Sequence, residues 1–146
     1  MERITFSIDI NAPAKEVWQT LWDESTYGKW TAPFCEGSHA ISDWQQGSKV
    51  LFLSGTGEGL VSKIAEKKPF EVMAFEHIGM IKDGVEDTES PSIKAWVGAI
   101  EKYTLTAQDG VTKLTMEQDI TEAEKPYFEE VWPKAMQLVK ILSENS

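Results

Sequence analysis

From Tyr127 onward the chain places apolar residues at Phe128, Val131, Trp132, Ala135, Met136, Leu138, Val139 and Leu142. These steps of three and four put one continuous stripe on a 3.6-residue helix. Thr121 stands as N-cap with Glu124 three residues on as its capping-box partner, and Pro126 falls in the first turns, where no donor is lost. A helix over Glu122 to about Glu144, at ~1.5 Å per residue, runs roughly 33 Å, the width of a small domain. Nearly everything before it reads as strand. One long helix with a wide aromatic stripe, arriving after a full sheet, needs a concave surface to lie in.

The strands carry their own signals. Ile4, Phe6, Ile8 and Ile10 alternate with Thr5, Ser7 and Asp9, a half-buried strand. Asn11-Ala12-Pro13 breaks it and opens a helix with Val17, Trp18, Leu21 and Trp22 on one face. A second helical turn covers Ser25 to Trp30. Gly37 to Asp43 and Ser48 to Ser54 flank a Gln46-Gly47 turn, Leu60 to Glu66 follows a glycine-rich tip, and Phe70 to Ile78 follows Lys68-Pro69. Trp96 to Ala107 and Val111 to Ile120 meet across Asp109-Gly110, a two-residue hairpin signal. That loop pairs Leu105 with Leu114, Tyr103 with Met116, and Glu101 with Gln118. Residues Lys82 to Ser92 fit no pattern and read as a mobile acidic loop. The expected class is α+β: a curved seven-stranded antiparallel sheet around a long C-terminal helix, with two short helices after strand 1, in a single domain over residues 1–146.

Composition narrows the partners. The formal net charge of −10 argues against nucleic acid, where affinity comes from Lys and Arg on phosphates, and against anionic membrane surfaces. A lone Cys35 makes no internal disulfide, and neither a signal peptide nor an apolar run near ~18 residues is evident, so the expectation is cytoplasmic. No catalytic motif is present. Gly55, Gly57 and Gly59 lack the Lys-Ser/Thr and helix of a phosphate loop. Asp83, Glu86, Asp87 and Glu89 lack the order of a calcium loop, and Cys35 with His39 falls short of a zinc ligand set. No metal and no cofactor are expected.

Strand parity makes His77 share a face with Met73 and Phe75, Glu101 with Tyr103, and Gln118 with Met116. Three polar side chains on an apolar concave face need partners, since an unpaired buried group costs ~1–3 kcal/mol. They form a satisfied core network, a cluster that orients a ligand, or an acid/base pair of His77 and Glu101.

Ile10-Asn11-Ala12-Pro13, Val17-Trp18 with Leu21, and Tyr27 with Trp30, followed by Trp44 and Gly47, Gly59, Asp109-Gly110 with Thr112 and Leu114, and Trp132, resemble the START-like (SRPBCC) superfamily. The nearest branch is that named for the activator of heat-shock protein 90 ATPase. The resemblance spans nearly the whole chain and implies a helix-grip fold with a cavity between sheet and helix, where many relatives bind hydrophobic molecules. The eukaryotic chaperone activators carry a further N-terminal domain for which this sequence has no room.

On that basis the helix residues Phe128, Trp132 and Met136 and the sheet residues Phe52, Phe75, Tyr103 and Met116 are the expected walls. His77, Glu101 and Gln118 would orient one polar end. The expected partner is an apolar or amphipathic small molecule bound without catalysis. The alternatives are a chaperone-interaction module and a cyclase-type enzyme. The protein is expected to be a monomer or weak dimer. A dry void of ~300 Å³ would cost on the order of 7 kcal/mol, so a cavity of useful size should be open, occupied or partly filled.

Overall fold

In the computed structural model, which describes residues 1–145, the chain runs β1 (Glu2–Ile10), α1 (Ala14–Trp22), α2 (Glu24–Thr31), β2 (His39–Ile41), β3 (Lys49–Leu53) and β4 (Gly59–Lys68). It continues β5 (Val72–Lys82), β6 (Val85–Asp87), α3 (Pro91–Lys94), β7 (Ala99–Gln108), β8 (Val111–Ile120) and α4 (Lys125–Glu144). The strands form one antiparallel sheet in the order β1-β8-β7-β5-β4-β3-β2, with β6 paired to the far end of β5. The expected seven strands are all present, and β6 is an eighth.

The long helix forms where the stripe places it. A single 3₁₀ turn (Glu122–Glu124) precedes it, and the Glu124 carboxylate accepts the Thr121 backbone N–H and hydroxyl, both at 2.9 Å. Val131, Trp132, Ala135, Met136 and Val139 are buried, while Pro133 sits on the exposed face inside the helix. Helix α4 packs on β1, α1 and α2. The Ser143 hydroxyl donates to Thr20 of α1 at 3.0 Å, and the Tyr127 hydroxyl donates to the Phe34 carbonyl beyond α2 at 3.1 Å.

The β7–β8 register is the one expected: Leu105 faces Leu114, Tyr103 faces Met116, and Glu101 faces Gln118. Strand β1 adds Ile4, Phe6 and Ile8 opposite Gln118, Met116 and Leu114, extending the same face. The β4–β5 pairing shifts register twice, between Val61 and Ser62 and between Ile64 and Glu66. Such bulges bend a strand and re-aim its side chains. Past the first shift the inward side chain of β5 is Met80 rather than residue 79, which is how Met80 reaches the concave side.

Two local expectations are corrected. The stretch from Lys82 to Ser92 is not a structureless loop: Lys82 pairs with Val85 across Asp83-Gly84, β6 follows, and the turn of α3 begins at Pro91. Asp83 and Gly84 have φ of 52° and 76°, the conformation that Asp109 and Gly110 adopt at 54° and 81°. Both are two-residue turns that need positive φ at each position. Strand β7 starts at Ala99 rather than Trp96, because Trp96 and Val97 close turns on the Ile93 carbonyl. At the tip of β3 and β4, Gly59 is a packing residue as well as a turn residue. A Cβ there would lie 1.7 Å from the Phe52 carbonyl oxygen.

Candidate functional site

Between the sheet, α2 and α4 lies a cavity of about 390 Å³ that opens to solvent. Its walls include Tyr27 and Trp30 from α2, Phe34, Phe52 from β3, Leu60 from β4, Met80 from β5, and Phe128 and Trp132 from α4. Glu101 and Tyr103 of β7 and Gln118 of β8 supply polar atoms from the sheet. Because the space is open to water, the penalty for a dry void does not apply.

Most of the rings interlock edge to face, while Tyr27 and Phe52 lie near parallel at 6.3 Å. Trp132 lies 4.8 Å from Phe34 and 6.0 Å from Tyr103 between ring centres, both edge to face, and Phe52 meets Phe75 edge to face at 5.0 Å. Aromatic pairs favour such geometry because the positive ring edge meets the negative face.

The polar residues form two connected sets. In the first, the Ser62 hydroxyl is 2.6 Å from His77 Nδ1, His77 Nε2 is 3.1 Å from Glu101 Oε1, and the Tyr103 hydroxyl donates to Glu101 Oε2. Glu101 accepts at both oxygens, which places the proton of a neutral His77 on Nε2 and leaves Nδ1 to accept from Ser62. Ser62 and His77 are opposite each other in the β4–β5 register at the first bulge, and both are buried. In the second set Trp132 Nε1 donates to Gln118 Oε1 at 2.8 Å, pinning α4 to β8.

Burial pushes the Tyr103 phenol well above its ordinary range, and the Glu101 charge and hydrogen bond add to that, so Tyr103 stays a donor. Burial also raises the Tyr27 phenol, with Glu101 and Cys35 reinforcing the shift and a Ser38 hydrogen bond opposing it. Trp22 Nε1 is buried with no hydrogen-bond acceptor among the described residues. Its indole is surrounded by the rings of Tyr103, Phe75 and Trp44, with centres at 4.9, 5.3 and 5.9 Å.

Of the ten residues expected to line a site, Phe52, Glu101, Tyr103, Gln118, Phe128 and Trp132 face the cavity. Phe75, His77, Met116 and Met136 do not reach it. All four are buried; Phe52 and Tyr103 lie between Phe75 and the opening, and His77 stands behind Glu101. Tyr27, Trp30 and Phe34 were not expected as walls. Their spacing of three and four is itself a helical stripe, and it was the available signal. A second hollow of about 530 Å³ shares Tyr27 and Ser38 with the first and is lined further by Trp22, Ala40, Ile41 and Trp44. No helix of the described residues is long and apolar enough to cross a membrane.

The architecture is therefore that of a helix-grip α+β domain of the START-like class, an antiparallel sheet closed by its C-terminal helix over an open aromatic cavity. Residues 11–143 match the family described as activator of Hsp90 ATPase homolog 1-like protein, and the chain belongs to that family. Among solved structures, a protein from Mesorhizobium loti superposes with a TM-score of 0.77 at 14% identity, covering 99% of this chain and 98% of the other. The Aha1 dimer from Colwellia psychrerythraea gives 0.73 at 18% identity, covering 99% and 97%. CalU16 from Micromonospora echinospora gives 0.66 at 16% identity, covering 97% and 75%. At these identities the likeness is one of fold. No curated protein sequence matches the chain.

Proposed function

We propose that this protein binds a small, largely apolar molecule in the cavity beneath α4 and holds it without chemical change. The observation that carries this is the cavity itself: about 390 Å³, open, walled by aromatic rings, with Glu101, Tyr103 and Gln118 converging on it. Ligand sites are typically concave, mostly apolar spaces from ~300 Å³ upward with a few placed polar groups. The family supports a ligand-binding fold.

Thermal denaturation with a library of polycyclic aromatic and lipid-like compounds tests it. A ligand that binds only the native state stabilises it by about 2.7 kcal/mol at 100 times its Kd, a readily measured rise in Tm. Absence of any shift across such a library, at concentrations well above micromolar, contradicts it.

A second reading follows from the family name, which describes activation of a chaperone ATPase. In it the acidic stretch from Lys82 to Ser92 meets the partner. Val85 on β6 is 68% exposed and Met80 beside it 44%, giving that edge an apolar step amid carboxylates. Retention of heat-shock protein 90 by the immobilised protein, reduced when Val85 is replaced by Ser, would support it. Equal or no retention would dismiss it.

A further inference from the structure

The cavity's charge is one-sided. Glu101 and Glu58 line it, and no Lys, Arg or His does so among the described residues. Glu58 stands at the rim, half exposed and 3.8 Å from Lys82, so its charge is partly countered. Glu101 is different: its side chain is only 16% exposed, it projects from the middle of the sheet, and its two hydrogen-bond partners are buried, His77 outside the cavity lining and Tyr103 within it. Each carboxylate oxygen has two acceptor directions, and each is used once by these two bonds. Acceptor capacity therefore remains on the one acid that reaches the cavity floor.

The surrounding rings point the same way. Tyr27, Trp30, Phe34, Phe52, Tyr103 and Trp132 line the space. Aromatic faces carry negative potential and attract a cation placed over them. An anionic ligand would meet two carboxylates, ring faces and no basic residue. A neutral donor would gain a hydrogen bond to the Glu101 carboxylate but no ion pairing and nothing from the ring faces. A protonated amine gains from both. The formal net charge of −10 adds a field that draws cations toward the whole molecule.

We infer that the ligand of this cavity is an organic cation, an aromatic or alicyclic body bearing a protonated amine. The ammonium donates to Glu101 and the body lies among Phe34, Phe52 and Trp132. His77 and Ser62 act as positioning residues that hold the Glu101 carboxylate toward the opening. This deepens the ligand-binding reading and rests on it. It also makes free fatty acids and other carboxylates poor ligands, although the walls are apolar.

The test is a matched series with one body and three charges: 1-naphthylmethylamine, 1-naphthylmethanol and 1-naphthoate. Binding is measured by calorimetry at neutral pH and low salt, on the wild type and on Glu101→Gln. The amine is expected to bind at least ~10-fold more tightly than the alcohol, and 1-naphthoate at least ~10-fold more weakly, by charge-assisted and cation–π contacts. In Glu101→Gln the amine's advantage over the alcohol should fall at least ~5-fold while the alcohol is largely retained, because the ion pair is lost and the ring faces still favour the cation.

Wild-type affinities that are equal across the series, or that favour 1-naphthoate, overturn the inference and leave the ligand-binding reading standing, and so does an amine preference undiminished in folded Glu101→Gln. Should that variant not fold, the wild-type order decides alone. Failure of all three compounds to bind counts against the ligand-binding reading and takes this inference with it.

Discussion

Trp132 does three things at once. Its ring is a wall of the cavity, its edge meets Phe34 at 4.8 Å, and its N–H donates to buried Gln118 at 2.8 Å. Trp132→Phe keeps most of the apolar surface and deletes the donor, leaving the Gln118 oxygen unpaired. Such an orphaned acceptor costs about 1–3 kcal/mol, and a urea denaturation curve should show a loss in that range with little change in slope. An unchanged midpoint would mean that Gln118 finds water or another donor. Parity along single strands predicts the inward facing of His77, Glu101 and Gln118. Their partners it does not predict: Ser62 meets His77 through a pairing across β4 and β5 at a bulge, and no pattern within either strand records it.

At the scale of elements, α4 continues through Pro133, which can neither donate to the Glu129 carbonyl nor sit without crowding it. It does so because Val131, Trp132, Ala135 and Met136 are buried on the opposite side, and that packing outweighs the local defect. Pro133→Ala should therefore stabilise the protein: helix propensity favours it by about 3 kcal/mol, and the freer unfolded chain offsets about 0.4–1 kcal/mol. A net gain of about 2 kcal/mol, read from a urea denaturation curve, is expected, and a loss would show that the ring has a packing role.

The β1, β8 and β7 strands are joined by Asp119, which accepts Arg3 Nε at 2.9 Å and the Ile100 N–H at 3.0 Å. Hydrogen bonding to Arg3 is the main cause holding its carboxyl below the ordinary range, and the Ile100 N–H adds to it. A depressed folded value means stabilisation that is present above the unfolded carboxylate range, near ~3.9, and lost as pH falls through the lower folded value. Asp119→Asn should thus be less stable than wild type at neutral pH, with the gap closing below about pH 4. A gap that persists into acid would assign the loss to geometry rather than charge.

The elements most sharply legible from sequence were those with an apolar alternation or stripe plus a recognisable stop: β1, α4 and the β7–β8 hairpin; the other expected strands and both early helices are also present, with shifted ends. Strand β6 was not legible, although Asp83-Gly84 carries the same turn chemistry as Asp109-Gly110. Lys82, Glu86 and Asp87 flank it without any buried alternation, since β6 lies at the sheet margin and buries little. Three of the seven aromatic walls were missed for a related reason. Tyr27 and Trp30 fall in a short helix and Phe34 just beyond it, and only the long-range placement of α2 beside α4 brings them to the opening.

For the whole molecule, the central point is that sheet, α2 and α4 do not close on one another completely. A fully packed interior would give the same fold and no place for a ligand. The indole N–H resonances of the six tryptophans offer internal controls in one spectrum. Trp30 and Trp132 line the cavity, whereas Trp18 and Trp96 lie outside its walls. Titration of isotope-labelled protein with 1-naphthylmethanol, followed by proton–nitrogen correlation spectra, is expected to move the Trp30 and Trp132 signals saturably while Trp18 and Trp96 hold still. Static Trp30 and Trp132 signals, or a uniform drift of all six, would contradict a binding space beneath the C-terminal helix.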